Sequence, residues 1–184
     1  MANKPFAFGL LVGRFQSLHV GHADMIQKAL SICERVGVFI SSAQESGTRH
    51  NPFDYALRKR LLDAVFPGQL AIQPLTDLGR GNCASWGQYV LEQAVEQFAA
   101  LPDLTVSGKE ARRVSWFDEG EGARVAELII PKTANVSATD LRRLIAADDR
   151  AAWQRFTPPA IHGLYDEMRH KVLLSLSNTQ TASR

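Results

Sequence analysis

Phe6-Ala7-Phe8-Gly9-Leu10-Leu11-Val12-Gly13-Arg14-Phe15-Gln16-Ser17-Leu18-His19-Val20-Gly21-His22 opens as an apolar run, breaks at glycine and closes on the first turn of a helix. Residues 6–12 predict a buried strand, because a short continuous apolar run ending at Gly13 fits an element covered on both faces. Residues 22–35 carry Met25, Ile26, Ala29, Leu30 and Cys33 at helical spacing. His19 then falls just ahead of the helix and His22 in its opening turn.

Further along, residues 36–42 predict a second buried strand. Asn51-Pro52 reads as N-cap and first helical position of a helix reaching about residue 65, closed by Phe66-Pro67-Gly68. Residues 70–75, 104–107 and 125–130 predict three more strands. Between the first two, residues 84–100 set Trp86, Val90, Ala94 and Phe98 on one helical face. Helices over 138–147 and 159–176 follow, and the polar residues 177–184 read as a disordered tail on a single domain spanning 1–176. Alternating strands and helices without repeats predict a Rossmann-like, doubly wound parallel α/β sheet with a C-terminal helical segment. Ligands of such sheets lie at the carboxyl ends of the strands.

Composition narrows the partners. Lys and Arg total 21 against 19 Asp and Glu, so no basic surface for nucleic acid is indicated. Local basic pairs, Arg112-Arg113 and Arg142-Arg143, remain candidates for phosphate. Cys33 and Cys83 stand far apart without the close spacing of a structural zinc site, and read as reduced thiols of a cytoplasmic protein. No apolar run approaches the ~18–20 residues of a membrane span, and the start lacks a signal-peptide pattern. Oligomeric state is left open, a homo-oligomer included.

Two clusters carry chemistry. The loop from Gly13 to His22 delivers Arg14, His19 and His22 to a helix N-terminus, where unpaired N–H groups attract anions. Gly13 and Gly21 allow backbone or ligand to approach closely, and Phe15 lies between. The same histidines three apart also suit a metal, or plain capping. The second cluster is Ser137-Ala138-Thr139-Asp140-Leu141-Arg142. Ser137 with Asp140 makes a variant capping box that needs no function, while Thr139 and Arg142 add a hydroxyl and a guanidinium suited to phosphate.

His19-Val20-Gly21-His22 after a strand resembles the HxGH signature of the nucleotidylyltransferase superfamily, and Ser137 to Arg142 resembles its late ISxTxxR partner. Leu11-Val12-Gly13-Arg14-Phe15-Gln16, Ser42-Ala43-Gln44 and Asn51-Pro52-Phe53 are similar to the archaeal-type nicotinamide mononucleotide (NMN) adenylyltransferases, with Arg58 and Trp86 matching an Arg and a Trp of that family. The resemblance runs from about residue 10 to 168. It departs at Ser17-Leu18, where the family usually has Pro-Phe, at Ser107-Gly108-Lys109-Glu110, and at Arg49-His50, either of which matches the basic residue before Asn-Pro-Phe.

The resemblance implies transfer of AMP from ATP to the 5′-phosphate of NMN, with Mg²⁺ arriving on the ATP. It assigns His19, His22 and Arg142 to catalysis, and Gly13, Arg14, Phe15, Gly21, Ser137, Thr139 and Arg142 to ATP. Trp86, Arg58, His50 and Gln44 would hold the acceptor. Spacing alone favours core packing for Trp86, and Arg58-Lys59-Arg60 also suits a solvated basic face. The alternatives are the same chemistry on nicotinic acid mononucleotide or phosphopantetheine, a CTP-dependent transfer, or a nucleotide-binding module without turnover.

Overall fold

The computed structural model describes residues 3–81, 83–108, 116–117, 120, 124–131 and 136–181. Arg112-Arg113 and Lys109-Glu110 lie outside the described residues. Five strands, β1 (Phe6–Gly13), β2 (Cys33–Ser41), β3 (Ala71–Leu75), β4 (Leu104–Ser107) and β5 (Ala126–Ile129), form one parallel sheet in the order β3-β2-β1-β4-β5. The helices between and after them are α1 (Val20–Ile32), α2 (Tyr55–Val65), α3 (Ala84–Phe98), α4 (Ala138–Ala146), α5 (Arg150–Arg155) and α6 (Tyr165–Thr181), with a 3₁₀ turn over Pro159–Leu164. The chain moves outward from β1 to β3, then returns to the other side of β1 as β4. The carboxyl ends of β1 and β4 therefore flank the switch point of the expected doubly wound fold.

Strand alternation divides the core. Leu11, Val38, Ile40, Leu104 and Val106 face one layer with Ile26, Leu57, Leu61, Trp153 and Met168. Phe8, Leu10 and Phe39 face the other, against Trp86, Val90, Ala94 and Phe98 of α3. The α3 stripe is thus a true core face.

Several boundaries differ from the sequence expectation, each for a tertiary reason. The first helix ends at Ile32 rather than residue 35, because Cys33 pairs with Phe6 and Arg35 with Phe8 at the sheet. Pairing along β1 overrides the helical pattern of those residues. Helix α2 starts after Asp54, whose Oδ1 accepts from Leu57 N at 2.8 Å; Asn51 is not its cap. Phe53 cannot join the helix, because the Gln16 side-chain amide occupies both its N–H and its C=O. Helix α6 continues past the expected end at residue 176 to Thr181, and Tyr165, Met168, Val172 and Ser175 bury one stripe of it. Helix α5, six residues around the fully buried Trp153, went unpredicted because it is too short to show a period.

Candidate active site

The ends of β1, β2 and β4 open into a cleft of about 560 Å³, lined there by Val12, Gly13, Ser41, Val106 and Ser107. One wall is the loop from β1 into α1. His19 caps α1 through its side chain, with Nδ1 accepting from His22 N at 3.2 Å. The His22 ring stacks on that of His19, centroids 3.7 Å apart and planes 23° from parallel. Gly21 permits this, since a Cβ there would sit 3.1 Å from His19 Nδ1. Burial, aided by the charge of His19, pushes His22 down to about 3, so it is neutral at pH 7. Its Nδ1 is buried and has no partner among the described residues.

The loop backbone is strained. Phe15 has φ 48° and Ser17 φ 149°, and Ser42 across the cleft has φ 49°. Such conformations cost of order 1–3 kcal/mol each and persist only where neighbours enforce them. Here the enforcement comes from side chains distant in sequence. Arg58 is fully buried; its Nη1 donates to Arg14 O at 3.0 Å and Ser41 O at 2.8 Å, its Nη2 to Ser42 O at 3.0 Å, and its Nε to Asp54 O at 3.2 Å. Burial pushes the guanidinium down to about 10 against the opposing charges of Asp54 and Glu45, which leaves it protonated at pH 7. Arg142 Nη1 donates to Gln16 O at 3.2 Å, and Val20 N to Phe156 O at 2.9 Å.

The facing wall is the start of α4. Ser137 and Asp140 form the capping box: Ser137 Oγ accepts from Asp140 N at 3.2 Å, and Asp140 Oδ2 accepts from Ser137 N at 3.0 Å. The Ser137 hydroxyl also donates to Asp140 Oδ2 at 2.5 Å. Arg142 Nη2 reaches Thr139 Oγ1 at 3.2 Å, so Arg142 joins the two clusters, which lie 126 residues apart at its bond to Gln16. Its pKa is lowered by burial, then by the charge of Arg14. Both helix N-termini thus open onto one cleft with two arginines, an arrangement suited to a polyphosphate.

A family model described as cytidylyltransferase-like matches residues 10–73. A nicotinamide-nucleotide adenylyltransferase of Aeropyrum pernix is 31% identical over 165 residues, covering 86% of this chain and 90% of its own length. A protein of the same name from Pyrococcus horikoshii is 30% identical over 158 residues, 83% of this chain and 79% of that relative. The chain belongs to the nicotinamide-nucleotide adenylyltransferase family. At the level of fold, a bifunctional NMN adenylyltransferase/ADP ribose pyrophosphatase from Francisella tularensis, solved with AMP and a Mn ion, matches with TM-score 0.73 and 16% identity over 97% of this chain. That match takes in 54% of the larger protein, so this chain spans about half its length.

Of the residues singled out from sequence in this adenylyltransferase-family chain, the structure brings Gly13, Arg14, Phe15, His19, Gly21, His22, Ser137, Thr139, Arg142 and Trp86 to the cleft. Arg58 lies behind the cleft: it is buried, and its hydrogen bonds go to backbone carbonyls. The Gln44 side chain is exposed, and its amide pairs with the backbone of Asp77, at 2.9 and 3.1 Å. His50 is exposed and lies outside the residues that line the cleft. Sequence reasoning missed Trp116 and Asp77. The Trp116 ring stands edge-on to Trp86 at 6.5 Å, and its carbonyl packs where a Cβ on Gly87 would come within 2.1 Å. Gly87 one residue after Trp86 was the available signal for close approach on that helix. Asp77, just past β3, sits where a strand end in this fold faces the ligand.

Proposed function

We propose that this chain joins ATP and NMN to give NAD and pyrophosphate, working in the cytoplasm. The observation that carries this reading is the bridge from Arg142 to Gln16 O and Thr139 Oγ1, which brings the two helix starts to one cleft beside Trp86. An oxygen of the acceptor 5′-phosphate attacks the α-phosphorus of ATP; the P–O bond to the β-phosphate breaks, and pyrophosphate leaves with that electron pair. The nucleophile is already ionised at pH 7, so the reaction needs no general base. Catalysis is then positioning and charge stabilisation.

His19 and His22 face the transferring phosphoryl as hydrogen-bond donors. Arg14 and Arg142 hold the outer phosphates with Thr139 and the N–H groups of α4; Ser137 fixes that helix start. Trp86 and Trp116 supply flat apolar surface for a base. Among the described residues no group of three or more His, Cys, Asp or Glu side chains is placed to cage a metal. Mg²⁺ would arrive with the incoming nucleotide and neutralise phosphate charge. No described helix is long and apolar enough to cross a membrane.

The test is pyrophosphate release from Mg-ATP, or Mg-CTP, with NMN, nicotinic acid mononucleotide or phosphopantetheine, in wild type and His19→Ala. Release with ATP and NMN that falls at least about 100-fold in the variant supports the reading. Release with phosphopantetheine alone, or with CTP alone, redirects it; ATP binding without release under any condition leaves only the binding module.

A further inference from the structure

Asp77 is the one acidic side chain among the described residues lining the cleft, whose other charged lining residues are Arg14 and Arg142. It lies just beyond β3, in the cleft that Trp86 also lines. Four hydrogen bonds fix it: Ser42 Oγ donates to Oδ2 at 3.0 Å, Gly79 N to Oδ1 at 2.9 Å, Gln44 Nε2 to the Asp77 carbonyl at 2.9 Å, and Asp77 N to Gln44 Oε1 at 3.1 Å. Ser42 is itself buried and held at φ 49° by the Arg58 bond to its carbonyl. Among the described residues Asp77 forms no ion pair. This half-buried carboxylate, without an ion pair among the described residues, stands in a cleft whose other charged groups are cationic, and it has acceptor capacity left for a ligand donor or cation.

Each carboxylate oxygen has about two acceptor positions, and Ser42 and Gly79 take one apiece. The remaining capacity suits a donor on the ligand. A carboxylate on the acceptor base would instead face Asp77 as a like charge, which disfavours that acceptor.

We propose that Asp77 selects the acceptor, favouring a nucleotide whose pyridinium carries an uncharged carboxamide over one that carries a carboxylate. The inference rests on the reading that the acceptor base lies against Trp86. The carboxamide N–H donates to Asp77, and the ring charge is attracted to it. Ser42 and Gln44 act as positioning residues for that carboxylate, which accounts for the Gln44 amide being spent on the Asp77 backbone.

The experiment compares kcat/KM for NMN and for nicotinic acid mononucleotide in wild type, Asp77→Asn and Asp77→Ala. The affinity of each nucleotide is read in parallel from tryptophan fluorescence. Wild type should prefer NMN, and Asp77→Asn should shrink that preference at least about tenfold, chiefly by improving use of the carboxylate nucleotide, with KM for ATP unmoved. Asp77→Ala should lose efficiency with NMN as well. An equal loss with both acceptors, or a wild-type preference for the carboxylate nucleotide, overturns the inference. If wild type releases no pyrophosphate, the functional reading fails on that result alone. The fluorescence affinities then decide the selectivity: an unchanged ratio in Asp77→Asn overturns it, and a shrunken one upholds it.

Discussion

His22, held near 3 by burial and by the charge of His19, is a neutral ring at pH 7, while the same side chain in an unfolded chain titrates near 6.5. Below pH 6.5 the unfolded chain takes up a proton that the folded chain refuses until about pH 3, so this group weakens folding progressively across that window and not above it. Between pH 7.5 and 4.5 the expected loss is about 2–3 kcal/mol. Urea unfolding at the two pH values should show His22→Asn losing less stability than wild type by about that amount; parallel losses would mean that the ring titrates normally. A second residue-scale prediction concerns Ser17, whose φ of 149° and buried hydroxyl, without a partner among the described residues, are both unfavourable. Ser17→Gly removes both and should raise stability by up to about 1 kcal/mol, after the entropy cost of glycine. Ser17→Pro forces φ to about −65°, and should destabilise the loop and abolish ATP binding. Thermal unfolding with an ATP titration separates the two; equal behaviour would refute the strain.

Between elements, the bonds that matter link segments far apart in the chain. Arg58 ties the ends of β1 and β2 to the start of α2 through four carbonyls. Arg58→Met leaves these unpaired and should cost roughly 2–4 kcal/mol in stability. Arg58→Lys, with one ammonium in place of a fork, should recover part of that but not the loop geometry, so KM for ATP should stay several-fold raised. A lysine variant with wild-type KM would show that the loop holds its shape without the fork. Elements at this scale were only partly legible. The alternation that gave the sheet is written in local apolar runs, and β4 was placed residue for residue. The start of α2 was not, because the competitor for Phe53 is Gln16, 37 residues earlier. The burial of Arg58 was not legible for the same reason: its carbonyl partners at Arg14, Ser41 and Ser42 lie 16 to 44 residues away in the chain.

Across the whole molecule, the cleft draws on the β1–α1 loop, the segment after β3, the end of β4 and the start of α4, so nearly the full length of chain must fold before the site exists. Its location was legible, because a doubly wound sheet concentrates its loops at the strand carboxyl ends. Asp77 and Trp116 were not, since neither belongs to a motif and only the assembled sheet brings them into the cleft that Trp86 lines. A site assembled this way couples ligand binding to global stability. ATP at 100 times its Kd should stabilise the fold by about 2.7 kcal/mol. At this chain length each kcal/mol raises Tm by about 2–4 °C, which predicts a shift of about 5–11 °C. Arg142→Ala removes both a phosphate ligand and the bond that holds Gln16 O to α4, so it should lower Tm slightly and erase most of the ATP-dependent shift. Arg60→Ala breaks only the exposed pair with Glu167 and should leave the shift intact. Scanning calorimetry of the three proteins with and without Mg-ATP gives the answer. A full shift in Arg142→Ala would separate that guanidinium from the nucleotide, whereas a loss confined to it makes the bridge between the two helix starts the structural basis of ATP recognition.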